Sequence, residues 1–159
     1  MEKKALQSVI TVCQENELSS SDRQLVELAK QATQRSYAKY SNFRVGAALL
    51  TSKVEFVIGC NQENAAFPSG LCAERTALFA AGAEYPEQAV VTLAVAARNQ
   101  SGAFTPEPVS PCGSCRQVLV ETEQRFGHPV KIILYGARCI YILDSIRQLM
   151  PLSFTENQL

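Results

Sequence analysis

Phe43-Arg44-Val45-Gly46-Ala47-Ala48-Leu49-Leu50, then Thr51-Ser52-Lys53, then Val54-Glu55-Phe56-Val57-Ile58-Gly59-Cys60, is the stretch on which the fold turns. Both arms carry Val, Ile or Phe at alternate positions, the period of a pleated strand, and the three residues between them suffice for a hairpin. Working upstream, Ser21 with Gln24 three residues on reads as a capping box, and Leu25, Leu28, Ala29 and Ala32 continue at helical spacing, with Ala5 to Cys13 before them strand-like. Downstream, a helix is expected from Cys72 to Ala81, ended by Gly82, and the apolar run Ala89 to Ala97 fits a buried central strand. A loop holding Pro106, Pro108 and Pro111 leads to a helix over Cys112 to Phe126 and a strand over Val130 to Tyr135. Gly136-Ala137 turns the chain into a last strand, Arg138 to Ile142, and a final helix near Met150. After the first helix the order is β-β-α-β-α-β-β-α. It predicts an α/β fold, a mixed five-stranded sheet sandwiched by helices, as a single domain over residues 1–159.

Composition narrows the function. The 159 residues carry 15 Lys+Arg against 15 Asp+Glu, with 47% hydrophobic and 19% charged side chains. A domain of this size buries roughly 68–70% of its unfolded surface, so neither a metal nor a disulfide is needed to make up for a small core. Balanced charge lacks the basic footprint of a nucleic-acid binder. Ala89 to Ala97, the longest apolar stretch, falls far short of the ~20 residues of a membrane helix. Gln7, Ser8 and Thr11 interrupt the only run that could serve as a signal peptide, so the expected compartment is the cytoplasm and the six cysteines are read as thiols or metal ligands.

Three of those cysteines stand apart. Cys72 in Leu71-Cys72-Ala73-Glu74-Arg75, and Cys112 and Cys115 in Pro111-Cys112-Gly113-Ser114-Cys115-Arg116, all fall at expected helix starts. Helix N-termini favour the thiolate, and two of them could converge on one Zn²⁺. Three thiolates would leave that centre with a formal charge of −1, which the helix ends and Arg75 could offset. Glu74, two residues past Cys72, suggests an open, catalytic site rather than a closed structural one. A carboxyl there could take a proton from metal-activated water and pass it on. Two other readings share these residues. Cys112 and Cys115 could form a dithiol redox pair, and Cys60 could complete a structural zinc site, although Cys60, Cys13 and Cys139 read more simply as small buried hydrophobes.

The chain resembles the cytidine deaminases. The resemblance rests on the zinc motifs together with Tyr40-Ser41-Asn42-Phe43-Arg44-Val45-Gly46-Ala47-Ala48-Leu49-Leu50, Gly59-Cys60-Asn61-Gln62-Glu63-Asn64-Ala65 and Pro111-Cys112-Gly113-Ser114-Cys115-Arg116-Gln117-Val118-Leu119, with a weaker echo at Leu149 to Phe154. It implies zinc-dependent hydrolytic deamination of cytidine and deoxycytidine in pyrimidine salvage, with one Zn²⁺ per chain on Cys72, Cys112 and Cys115. Hydroxide generated at the zinc would add to C4 of the pyrimidine while Glu74 shuttles protons. It further implies that Asn61 and Glu63 meet the ribose hydroxyl, that Phe43 packs in the nucleoside pocket, and that the Ala73 N–H contacts the pyrimidine carbonyl. Arg75 would bond to the zinc thiolates, and Phe154 would stack on the base from a neighbouring subunit of a homotetramer. Phe67 stands where many relatives have Tyr. The short turn at Gly136-Ala137 favours a free nucleoside over nucleic acid, since nucleic-acid deaminases insert a helix there and reverse the last strand. A deaminase of another aminated heterocycle, such as blasticidin, would share the zinc chemistry.

Overall fold

In the computed structural model, which describes residues 1–159, six strands form one sheet. They are β1 (Thr11–Cys13), β2 (Arg44–Thr51), β3 (Phe56–Cys60), β4 (Val90–Arg98), β5 (Lys131–Tyr135) and β6 (Ile140–Leu143), in the spatial order β1-β6-β5-β4-β2-β3. The expected hairpin is β2 and β3, registered from Gly46 opposite Cys60 to Leu50 opposite Phe56. Only β4 and β5 pair in parallel. That pairing requires a crossover, which α3 (Gly113–Phe126) supplies.

Strand alternation sorts the core onto two faces. Ala47, Leu49, Leu93, Val95, Ile132 and Leu134 pack against Ala77, Leu78 and Ala81 of α2 (Ala73–Glu84) and Leu119 of α3. Ala48, Ala94, Ala96 and Ile133 pack on the opposite face against Leu25, Val26 and Ala29 of α1 (Ser20–Ala32). The sheet is therefore a filling between one helix and two.

Five expectations change. Gly82 does not end the second helix, which runs on to Glu84 with Tyr85 as its C-cap. The sheet has six strands, not five, because the opening segment, shortened to Thr11–Cys13, adds to β6 with Thr11 opposite Ile142. The helix cap is Ser19, not Ser21: Ser19 has an extended ψ and its hydroxyl accepts the Asp22 N–H at 3.2 Å, whereas Ser21 already lies inside α1. The last strand begins at Ile140, since Arg138 N–H is spent on Pro106 O at 2.9 Å and Gly136 N–H on Cys139 O at 3.0 Å. Near Met150 there is only a 3₁₀ turn, Ile146–Gln148, because Pro151 disfavours helical geometry at the residue before it. No helix is long and apolar enough to cross a membrane.

Candidate active site

Two helix starts meet beside the central strands. Cys72 is the N-cap of α2 and Cys112 the N-cap of α3, neither supplying a side-chain cap bond, while Cys115 lies in the first turn of α3. Close packing of α2 on β3 sets the first position. A Cβ on Gly59 would lie 2.4 Å from Ala77 N and 2.5 Å from Ala73 O, so only glycine lets the helix approach this near. The loop before α3 is tied to sheet ends: Thr105 N–H donates to Ala97 O at 3.0 Å and Ala137 N–H to Thr105 O at 2.9 Å. Arg116 completes the second position through Pro111 O and Leu149 O, both at 2.8 Å.

The three sulfurs cluster. Sγ of Cys112 is 3.6 Å from that of Cys72 and 3.4 Å from that of Cys115, and no other His, Cys, Asp or Glu belongs to the group. Arg75 reaches Cys72 Sγ at 3.8 Å. The bond from the Cys115 thiol, reinforced by Arg75, pulls Cys72 down to about 5 against the cost of burial. Cys115, fully buried and beside that thiolate, is pushed up, first by Cys72 and then by burial. Without a cation the Cys115 thiol thus holds on to its proton. Zinc fits this donor set: thiolates are its preferred soft ligands, and tetrahedral coordination at ~2.3 Å needs sulfurs only about 3.8 Å apart.

Beside the sulfurs, Glu74 is 5% exposed. Burial, and secondarily the Cys72 thiolate, raise its carboxyl above the usual range. A cavity of about 290 Å³ opens here, lined by Phe43, Asn61, Glu63, Ala73 and Glu74 together with Cys72 and Cys112. Asn61 is fixed from both ends of its amide: Oδ1 accepts Val45 N–H at 2.8 Å and Nδ2 donates to Phe43 O at 2.9 Å. Glu63 Oε2 accepts Tyr40 N–H at 2.7 Å and Ser41 N–H at 3.3 Å, and Oε1 accepts the Ser41 hydroxyl. These bonds, the hydroxyl's foremost, hold its carboxyl below the usual range.

Nine of the ten expected site residues therefore meet at one place. Phe154 does not: it is 57% exposed in a separate groove of about 510 Å³ beside α3, where its carbonyl accepts from Gln117 Nε2 at 2.9 Å. Val45, Val95, Val109, Ser110 and Ser41 also line the cavity and were not among the expected residues. Ser41 alone left a local signal, a serine two residues before Phe43 whose hydroxyl accepts the Phe43 N–H at 3.0 Å in a side-chain turn.

Three thiolate donors with no fourth side chain, set next to a buried carboxyl on an α/β sandwich, define a zinc hydrolase. The family model for the cytidine and deoxycytidylate deaminase zinc-binding region matches residues 19–126. The chain belongs to this family and is a hydrolytic deaminase. It is 48% identical over 101 residues to the cytidine deaminase of Halalkalibacterium halodurans, covering 63% of this chain and 71% of that one. It is 32% identical over 135 residues to a probable cytidine deaminase of Dictyostelium discoideum, covering 84% of each chain. The crystal structure of cytidine deaminase from Burkholderia pseudomallei superposes with a TM-score of 0.71 at 37% identity, covering 86% of this chain and 100% of that one.

Proposed function

We propose that this chain converts cytidine and deoxycytidine to uridine and deoxyuridine, releasing ammonia, with Cys72, Cys112 and Cys115 holding one zinc. The observation that carries this reading is a cluster of three sulfurs, two of which line one cavity together with the buried Glu74. Bound zinc supplies a Lewis acid that brings the pKa of a water molecule toward ~7. Glu74 takes the proton of the attacking water and delivers it to the ring nitrogen. It then takes the second proton, from the hydroxyl now on C4, and gives it to the amine as the C–N bond breaks and the C4 carbonyl forms, so one carboxyl serves as base and acid in turn. Its raised affinity for protons suits both halves of that task. The Ala73 N–H, at the first position of α2, meets the pyrimidine carbonyl, and Arg75 offsets the charge of the thiolates.

Phe43 packs on the nucleoside, and Asn61 and Glu63 take the sugar hydroxyl. The cavity wall holds no Lys or Arg, and Glu63 is anionic, so a neutral nucleoside suits it better than a nucleotide. The short turn and the antiparallel pairing of β6 with β5 support the same preference over nucleic acid. The reading extends to one domain over residues 1–159, a cytoplasmic setting supported by six thiols free of disulfides, and a homotetramer. The exposed Phe67, Phe79, Leu152 and Phe154 supply apolar surface for such an assembly, and Phe154 would reach a neighbour's base.

The test is direct. Purified protein given cytidine shows the absorbance change of amino-group loss, zinc removal abolishes it, and zinc restores it. Turnover unaffected by complete metal removal overturns the reading.

A further inference from the structure

We propose that Ser41 is a positioning residue for the sugar end of the cavity, acting through Glu63. A carboxylate only accepts, so the Ser41 hydroxyl must spend its single proton on Glu63 Oε1, while its oxygen accepts the Phe43 N–H at 3.0 Å. One hydroxyl therefore connects the carboxylate proposed to meet the sugar to the backbone of Phe43 in the same cavity. The Tyr40 and Ser41 amides hold Oε2, and Asn42, at φ +54°, makes the turn that brings both amides and the hydroxyl to bear on one carboxylate. Of about four acceptor positions on Glu63, three are taken, leaving one for a ligand hydroxyl. A glutamate this accessible would otherwise spread over many rotamers, and ordering it would fall to the substrate. Ser41 carries that cost in advance. Asn61 needs no such partner, being held by Val45 and Phe43.

The inference rests on Glu63 meeting the sugar, and the experiment separates the two claims. Steady-state kinetics are measured for Ser41→Ala, Ser41→Thr, Glu63→Ala and the Ser41→Ala/Glu63→Ala pair, on cytidine and on 2′,3′-dideoxycytidine, which lacks both of the ring hydroxyls. Ser41→Ala raises KM for cytidine by about fivefold to tenfold while kcat falls by less than about threefold, and Ser41→Thr, which keeps the hydroxyl, restores most of the loss. The KM effect of Ser41→Ala disappears on the dideoxy substrate and in the Glu63→Ala background. An unchanged KM in Ser41→Ala, with Glu63→Ala impaired, overturns the role of Ser41 alone. The same KM increase persisting without Glu63 overturns the route through that carboxylate and leaves Ser41 as a support for Phe43. An unchanged KM for cytidine in Glu63→Ala overturns the sugar contact and the proposal together.

Discussion

Glu74 combines two properties that rarely coincide in one carboxyl: near-complete burial and a place in the first turn of a helix beside a thiolate. With the proton-carrying role proposed for it, Glu74→Gln keeps the cavity's shape and lowers kcat by roughly 10² to 10⁴ while zinc content stays at one per chain. Retained turnover removes the assignment. Cys112→Ala has the opposite signature, loss of bound zinc measured by elemental analysis, because two thiolates cannot complete the set. Away from the site, Val54 sits at φ +69° and is 70% exposed, a β-branched residue in left-handed backbone with little packing to compensate. Replacing it with glycine relieves the strain, and the denaturation midpoint should rise by the equivalent of about 1 kcal/mol.

At the scale of elements, the sulfurs are placed by how helices lie on the sheet. Gly59→Ala forces a Cβ into the backbone of α2, displacing the helix that carries Cys72 and Glu74. Stability should fall by about 1–3 kcal/mol, and turnover should fall with it, although residue 59 touches no substrate. Lys30 anchors α1 through Glu15 and Glu27, each at 2.7 Å, and lies 4.1 Å from the centre of the Tyr135 ring. Burial works against its ammonium, but the two carboxylate hydrogen bonds outweigh it and raise the pKa above 10.5. A raised folded value means the contribution is fully present below 10.5 and is lost as pH climbs past it. Above neutrality the stability difference between the native chain and Lys30→Met should therefore shrink only in strongly alkaline solution; a difference that vanishes near neutrality contradicts the ion-pair account. The periodic helices and strands were readable from apolar spacing alone. The pairing of β1 with β6 and the 3₁₀ turn before Pro151 were not, because they depend on a distant edge and on a single ring.

Across the whole molecule, the proposed zinc would couple metal to fold. Its ligands would come from two stretches 40 residues apart, at Cys72 and Cys112, and would tie the start of α2 to the start of α3. Chelation should lower Tm together with activity, with both returning on zinc addition. An apo protein of unchanged Tm would show that the helices hold their places unaided. For the proposed tetramer, sedimentation at micromolar concentration should report four chains. Phe154→Ala should weaken nucleoside binding only if a neighbour supplies that ring, since within its own chain Phe154 lies in another groove. A sedimenting monomer with full activity would dismiss both.

By itself the sequence determined the residue chemistry. Thiols at helix starts, a carboxylate two positions on and strand-alternating apolar residues are local facts, and they pointed to the three-cysteine cluster, the carboxyl beside it and the sandwich. Tertiary structure alone decided what depends on distance through space: that the sulfurs stand 3.4–3.6 Å from Cys112, that a sixth strand closes onto β6, that Ser41 grips Glu63, and that Phe154 lies apart from the cavity. The reason is physical. Periodicity records which face of an element is buried, whereas a hydrogen bond between residues 22 positions apart records how two elements were brought together.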